Sequence, residues 1–170
     1  MPATRRLAAL AACLAALGAA ADVRVERATL DAPGADVPIE VAIPPGKGPF
    51  PPVLYVHARR GYEDADRDHV RTLAAQGFLV VAPDWQSGRF LERWPRPHDP
   101  ATEGDVEAAL DALLARPEAC KGPAGIVGYS RGGYYALRLA AKRPKDVAAV
   151  ATYAGHMQDP NAGEPDQLFS

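Results

Sequence analysis

The chain has 170 residues, of which 48% are hydrophobic and 24% charged, and its formal net charge is −2. This length and composition favour one globular domain with a hydrophobic core, and they exclude a disordered or low-complexity chain. The near-neutral charge gives no indication that a nucleic acid or an anionic membrane is the partner.

The first 21 residues have the pattern of a secretory signal peptide. Arg5 and Arg6 precede an Ala/Leu-rich run at Leu7–Leu17, and the small residues 19–21 fit a cleavage site. The run is too short for a stable membrane anchor. We therefore expect residues 1–21 to be removed and the protein to be exported to the periplasm or secreted. A buried N-terminal helix and a lipoprotein anchor at Cys13 are the alternatives.

Removal of that segment would change the charge and the cysteine count of the remaining residues 22–170. The segment carries two arginines and no acidic residue, so the net charge would fall to −4. Cys120 would be the one cysteine left, which excludes an internal disulfide even in an oxidising compartment.

Two runs that alternate apolar and polar residues follow the signal segment, at Val23–Leu30 and Val37–Ile43. Alternation with a period of two indicates half-exposed strands. Asp31–Gly34 lies between them and has the composition of a turn. We therefore predict an antiparallel hairpin at the edge of a sheet.

The rest of the chain alternates short apolar runs with helical patterns. The predicted strands are Val53–His57, Phe78–Pro83, Ala124–Tyr129 and Val147–Ala154. The predicted helices are Asp66–Gln76, a helix that starts at a possible capping box at Thr102–Asp105, and Tyr134 to about Arg143. This order predicts an α/β domain, with a mostly parallel sheet and helices on both faces.

The segment Gly125–Gly133 predicts a strand, a tight turn and a helix, with Ser130 at the tip of the turn. Gly128, Ser130 and Gly132 fit the pattern G-x-S-x-G of a nucleophile elbow. Residues two before and two after the serine must be small, so that strand and helix can pass closely. The helix would direct its N-terminal N–H groups at the charge that develops on an attacked carbonyl. Ser130 is therefore the candidate nucleophile, and the alternative is an ordinary turn serine.

Two backbone N–H groups are the candidate oxyanion donors. One belongs to Arg131, and the second to Arg59 or Ala58 in the loop after the Val53–His57 strand. The arginine side chains of this region, Arg59, Arg60 and Arg89, could bind a substrate carboxylate or could be solvated surface. Tyr129, beside the serine, is a further candidate for substrate binding. Arg131 opposes the helix dipole, so its side chain should pair with an acid or contact substrate.

Three motifs, in this order, resemble the dienelactone hydrolase family of α/β-hydrolases: Tyr55–Gly61, Phe78–Asp84 and Gly128–Gly133. The resemblance covers roughly residues 24–156. It implies an esterase or lactonase fold with Ser130 as nucleophile and an oxyanion hole at Arg59 and Arg131. Members that cleave dienelactone carry Cys at the nucleophile and Glu after the histidine of the first motif. Here those positions are Ser130 and Ala58, which favours a general serine esterase.

The partners that would activate Ser130 are harder to place. In this fold the acid and then the histidine follow the nucleophile, and the acid is expected roughly 45 residues later. Only 40 residues follow Ser130. The sequence is therefore expected to end about two strands early. His156 could serve as base, with Asp159 or Asp166 orienting it.

The other histidines have structural explanations. His57 ends a strand and should bond to backbone under the loop, and His69 and His98 should be on the surface. No group of residues has metal-ligand spacing and no phosphate loop is present, so we expect neither a metal nor another cofactor.

Two hypotheses follow. The first is an exported serine hydrolase of carboxylic esters or lactones, with acyl transfer through Ser130. The second is a catalytically incomplete fragment that acts as a binding or assembly module through its open sheet edge. The sequence does not determine the oligomeric state.

Overall fold

The computed structural model describes residues 22–94 and 99–155. The predicted signal peptide, His98 and the segment with His156, Asp159 and Asp166 lie outside these ranges. Six strands form one sheet: β1 Arg24–Ala32, β2 Ala35–Ile43, β3 Pro52–Val56, β4 Leu79–Pro83, β5 Ala124–Tyr129 and β6 Val147–Tyr153. The helices are α1 Asp64–Ala75, α2 Ala101–Ala115 and α3 Arg131–Lys142, and one 3₁₀ turn spans Ser87–Arg89.

The strands lie in the order β1-β2-β4-β3-β5-β6. β1 and β2 form the predicted antiparallel hairpin, and β2 pairs antiparallel with β4. The pairs β4–β3, β3–β5 and β5–β6 are parallel. The mostly parallel α/β sheet that the sequence predicts is therefore confirmed, with the hairpin at one edge.

Helices cover both faces of the sheet, because the parallel strands are apolar on both sides. Val70 and Ala74 of α1 pack on one face, against residues such as Tyr55 and Val80. α2 and α3 pack on the other face, and Leu110 of α2 is fully buried there. The sheet face on which α1 packs extends to β5 and β6, and there no described helix covers it.

The helix starts differ from the prediction in one instructive way. The capping box predicted at Thr102–Asp105 is wrong, because α2 begins at Ala101 and both of those residues are buried inside the helix. Thr102 Oγ lies 2.7 Å from Tyr135 Oη instead. The capping box that does exist is at α1, where Glu63 is the N-cap and the Asp66 carboxylate accepts a 2.8 Å hydrogen bond from the Glu63 N–H.

No helix in residues 22–94 and 99–155 is long and apolar enough to cross a membrane.

Candidate active site

Ser130 lies between β5 and α3 with φ 50° and ψ −112°. A positive φ is costly for a residue with a side chain, by roughly 1–3 kcal/mol, and persists only where the surroundings enforce it. Two backbone bonds enforce it here. Ser130 N–H donates to Tyr153 O at the end of β6 (2.9 Å), and Gly133 N–H donates to Ser130 O (2.9 Å). The strained turn of a nucleophile elbow is therefore present.

The two glycines around Ser130 are required by close backbone contacts. A Cβ at Gly128 would overlap the carbonyl oxygen of Gly132, and a Cβ at Gly132 would overlap the carbonyl oxygen of Val56. The N-terminus of α3 thus lies directly against the end of β3. This contact brings the positive end of the helix dipole to the loop that follows β3.

In the loop after β3, the peptide group between Ala58 and Arg59 is fixed by two hydrogen bonds to its carbonyl oxygen. The Ala58 carbonyl oxygen accepts hydrogen bonds from His57 Nδ1 (2.7 Å) and from Gly61 N–H (3.2 Å). A trans peptide points its N–H opposite to its carbonyl. Arg59 N–H is therefore directed away from these bonds, and within the described part of the chain it donates to no acceptor. This geometry favours Arg59 over Ala58 as the second oxyanion donor.

His57 is completely buried below this loop, and the prediction that it bonds to backbone is confirmed. Its ring stacks on Trp85 at a centroid distance of 4.9 Å. Because the carbonyl of Ala58 can only accept, His57 must carry its proton on Nδ1. Burial lowers the pKa of His57, although the carboxylate of Asp84, 3.7 Å from Nε2, opposes that shift. The neutral imidazole is thus a structural support of the loop.

Arg60 projects toward α1, where its guanidinium forms a two-pronged ion pair. Its Nη1 and Nη2 donate to the carboxylate of Asp66 at 2.8 and 3.0 Å. Tyr55 donates to the same carboxylate at 2.8 Å, and Asp66 is fully buried. Arg60 also lies over the ring of Tyr129, 5.7 Å from its centroid. These contacts give Arg60 a structural role, and its binding of substrate stays a prediction.

Arg89 lies in the 3₁₀ turn and reaches α2. Its Nε and Nη2 donate to the buried carboxylate of Asp105 at 2.6 and 2.8 Å, and Nη2 also donates to Pro33 O at 3.0 Å. This ion pair joins the β4 loop to α2. The predicted contact of Arg89 with substrate likewise stays a prediction.

The side chain of Arg131 is buried, 5% exposed, at the start of α3. It lies near Tyr135. Burial raises the pKa of Tyr135 to about 12, while the hydrogen bond with Thr102 and the positive charge of Arg131 oppose the rise. The side chain is therefore part of the interior between α2 and α3, while its backbone N–H is at the elbow.

Tyr129 lines a groove of about 590 Å³ on the sheet face on which α1 packs. Its ring stacks on Tyr153 at 5.9 Å and on His69 at 6.3 Å. His69 is exposed, as predicted, and forms one wall of this groove. The groove adjoins β6 at the open side of the sheet, and a role of Tyr129 in substrate binding stays a prediction.

No imidazole or carboxylate among the described residues hydrogen-bonds to Ser130. The proposed base His156 and its partners Asp159 and Asp166 lie outside those residues. The described ranges also contain no group of three or more His, Cys, Asp or Glu side chains that could hold a metal ion.

Sequence reasoning missed two residues that organise this region. Asp66 could have been found, because Glu63 and Asp66 have the spacing of a capping box before a helical pattern. Gln86 is buried in the loop after β4 and donates from Nε2 to Arg59 O at 2.9 Å. A glutamine in a polar loop carries no pattern that would have identified it.

The chain is similar to known proteins of one family. The sequence profile of the dienelactone hydrolase family matches residues 38–168. A protein of Nocardia uniformis subsp. tsuyamanensis named "Putative esterase NocK" is 33% identical over 71% of this chain and 36% of its own. The 2,6-dihydropseudooxynicotine hydrolase of Paenarthrobacter nicotinovorans is 28% identical over 74% of this chain and 34% of its own. The chain thus spans about one third to one half of the curated relatives it matches.

Solved structures show the same fold. A dienelactone hydrolase-like promiscuous phosphotriesterase, P91, from metagenomic libraries has a TM-score of 0.67 and 24% identity, over 79% of this chain and 60% of its own. The dienelactone hydrolase of Anabaena variabilis has a TM-score of 0.63 and 22% identity, over 79% and 64%. Because the family profile spans most of the sequence and these structures share its α/β-hydrolase fold, the chain belongs to the dienelactone hydrolase family.

Proposed function

We propose that this protein is a serine hydrolase of carboxylic esters or lactones. The observation that carries the proposal is Ser130 itself, held at a positive φ on a glycine-flanked turn between β5 and α3. Such a turn exposes the hydroxyl and places the N-terminus of a helix next to it. The hydrolase names of the family and its relatives support the same reaction class.

The chemistry would proceed by acyl transfer in two steps. Ser130 Oγ attacks the substrate carbonyl carbon while a base accepts its proton, and the carbonyl oxygen becomes an oxyanion. Arg59 and Arg131 N–H groups stabilise this oxyanion. The C–O bond to the alcohol then breaks, the alcohol leaves with a proton, and water releases the acid from the acyl-enzyme. Within these 170 residues His156 is the alternative candidate for the base, with Asp159 or Asp166 orienting it.

Substrate and location are part of the same proposal. Small esters or lactones are the substrates, and Ser130 in place of the cysteine of dienelactone-cleaving members favours general esters over dienelactone. The protein is exported after removal of residues 1–21, and the reaction uses no cofactor. Arg60, Arg89 and Tyr129 are the substrate-binding candidates that the sequence indicated.

Covalent labelling tests the nucleophile without requiring turnover. A fluorophosphonate in large excess should slowly add one adduct to the chain, detected by intact mass, because the oxyanion hole by itself still favours attack by the serine, and Ser130→Ala should abolish the adduct. Thr29→Ala, which removes an exposed hydroxyl on β1, is the matched control and should label like the parent protein. Labelling that persists in Ser130→Ala would exclude Ser130 as the nucleophile.

Turnover of p-nitrophenyl acetate tests the base. We expect little hydrolysis by the 170-residue chain, because a serine without its base keeps only weak catalysis from the oxyanion hole and binding. Fast hydrolysis that disappears in both Ser130→Ala and His156→Ala would overturn that expectation and identify His156 as the base.

The open edge of the sheet favours a second candidate function, that of an assembly module. Among the described residues β6 is the outermost strand on its side of the sheet, and its sequence, Val-Ala-Ala-Val-Ala-Thr-Tyr, contains no charged residue. An uncharged, exposed edge strand is a template for pairing with another chain. Sedimentation velocity over a range of concentrations separates the candidates, since a monomer at all concentrations would count against assembly.

A further inference from the structure

The loop after β4 is folded around one buried side chain. Gln86 is 3% exposed, although it lies in a loop. The main-chain carbonyl oxygen of Gln86 accepts hydrogen bonds from Arg89 N–H (3.1 Å) and Leu91 N–H (3.0 Å). The backbone therefore turns back on itself here and fixes the position from which the Gln86 side chain extends.

That side chain extends to the loop after β3. Nε2 of Gln86 donates to the carbonyl oxygens of Arg59 (2.9 Å) and Glu92 (3.3 Å). Because both neighbours are carbonyl acceptors, the amide nitrogen must face them, which fixes the orientation of the side-chain amide. Oε1 lies 3.7 Å from where a Cβ of Gly61 would be, and it has no donor among the described residues.

Two further bonds join the same two loops. Trp94 N–H donates to Arg59 O at 2.9 Å, and Arg93 Nε donates to Arg60 O at 2.9 Å. The Arg59 carbonyl thus accepts two bonds from the β4 loop. Of these donors, only Gln86 Nε2 is buried, because Arg93 and Trp94 are exposed.

These contacts control the direction of one N–H group. The peptide before Arg59 is held through Ala58 O by His57 and Gly61, and the peptide after it is held through Arg59 O by Gln86 and Trp94. With both flanking peptides fixed, φ and ψ of Arg59 cannot change without breaking hydrogen bonds. Arg59 N–H therefore keeps its direction before any substrate binds, which is the preorganisation that oxyanion stabilisation requires.

We propose that Gln86 is a positioning residue for the oxyanion hole. It acts through the Arg59 carbonyl and does not touch the substrate. The inference rests on the proposed function, since it assigns Arg59 N–H to the oxyanion of acyl transfer at Ser130.

Two substitutions at position 86 test it. Gln86→Leu keeps the approximate size of the side chain and removes the donor. Gln86→Glu can donate to Arg59 O only while its carboxyl is protonated. Gln76→Leu, the same exchange at an exposed residue after α1, is the matched control. The first readout is the rate of Ser130 phosphonylation by a fluorophosphonate, whose phosphoryl (P=O) oxygen occupies the place of the oxyanion.

We expect Gln86→Leu to slow phosphonylation by about tenfold or more, because loss of an entire oxyanion donor costs ~10²–10³-fold and here the donor is only misdirected. Gln86→Glu should recover toward the parent rate as the pH is lowered, with each rate taken relative to the parent protein at that pH. A residue that served only to stabilise the fold would not produce this pH-dependent rescue. Gln76→Leu should react like the parent protein.

Amide hydrogen exchange of residues 58–61 and of Trp94 is the second readout, and it does not depend on Ser130 chemistry. Faster exchange of Gly61 and Trp94 in Gln86→Leu, with an unchanged melting temperature, supports the proposal that Gln86 holds the loop after β3 in place. Unchanged exchange would overturn the proposal, whether or not Ser130 reacts. Faster exchange with an unchanged phosphonylation rate would also overturn it, because the loop would then move without consequence for the oxyanion. If the parent Ser130 does not react at all, the proposed function fails, and the exchange data still decide whether Gln86 holds the loop.

Discussion

Among single residues, His57 makes the stability of the fold depend on pH, because its imidazole is buried below the loop after β3. The imidazole is fully buried against Trp85, and desolvation lowers its pKa below the ordinary value of 6.5. The carboxylates of Asp84 and Asp66 oppose this shift, and the guanidinium of Arg60 adds to it. Because burial is the largest of these effects, the folded protein holds His57 neutral at pH 7.

This burial predicts how stability changes with pH. Between the lowered pKa of folded His57 and the value of 6.5 in the unfolded chain, the unfolded state binds more protons. Stability is therefore lost as the pH falls from 6.5 into that window, by up to about 1.4 kcal/mol per pH unit. Urea unfolding at a series of pH values should show this loss in the parent protein, and His57→Gln should have a flatter profile.

The matched control for that profile is His69→Gln, which removes an exposed imidazole on α1. It should keep the slope of the parent protein between pH 6.5 and 5. A His57→Gln profile parallel to the parent profile would contradict the account, because another group would then bind the proton on unfolding.

The roles of individual residues differ in how well the amino-acid sequence predicts them. The sequence predicts Ser130 as the nucleophile because its glycines and the flanking strand and helix form a pattern that few local structures satisfy. It offers Arg59 or Ala58 as the second donor, since that donor lies in this fold after a strand that is apolar throughout. Gln86 could not be identified, because its role depends on two loops that meet in space 27 residues apart along the chain. Such a contact leaves no local periodicity.

At the scale of elements, the contact between α3 and β3 decides whether the elbow can form. A Cβ at Gly132 would overlap Val56 O and lie 2.9 Å from His57 O. These are backbone atoms of a central strand, so no side chain can move aside to make room. We expect Gly132→Ala to destabilise the fold by about 3 kcal/mol, the upper end of the usual cost of overpacking, since the neighbouring backbone cannot move aside. Urea unfolding followed by circular dichroism measures the loss.

Gly104 in α2 offers the same substitution without the contact. No heavy atom lies within 4 Å of a Cβ placed there. Gly104→Ala should therefore stabilise the protein by about 1 kcal/mol, the difference in helix propensity between the two residues. Equal effects at positions 104 and 132 would show that the close approach of α3 to β3 does not constrain the sequence.

Helix starts show where sequence reasoning reaches its limit at this scale. Thr102 and Asp105 have the spacing of a cap, but tertiary contacts use both side chains, since Asp105 pairs with Arg89 and Thr102 with Tyr135. Glu63 and Asp66 have the same spacing and do form a cap. The spacing alone does not distinguish the two cases, because burial in the sheet interface decides between them. The strands β3, β4 and β5 were predicted more closely, since their apolar runs coincide with central positions in the sheet.

At the scale of the molecule, the two edges of the sheet are unequal. β1 carries Arg24, Glu26 and Arg27, and ion pairs such as Arg24–Glu26 (3.0 Å) lie along it. These charges discourage a second strand from pairing there. β6 has no charge, and Ala149, Ala151 and Tyr153 are exposed. The sequence predicts an open edge, and among the described residues the strand order places the uncharged β6 outermost on that side.

Because no other described strand covers the outer side of β6, we predict self-association of the 170-residue chain through this edge. Antiparallel pairing of two copies of β6 brings no like charges together, and it joins two sheets across a twofold axis. Ala149→Lys adds the kind of charge that natural edges carry, so it should weaken association by about tenfold, or ~1.4 kcal/mol. Ala28→Lys on the already charged β1 is the matched control and should leave association unchanged. Sedimentation velocity over a concentration series measures both. A parent protein that is monomeric throughout, or an equal effect of the two lysines, would mean that β6 does not mediate pairing, and the edge would then have to be protected by residues outside 22–94 and 99–155.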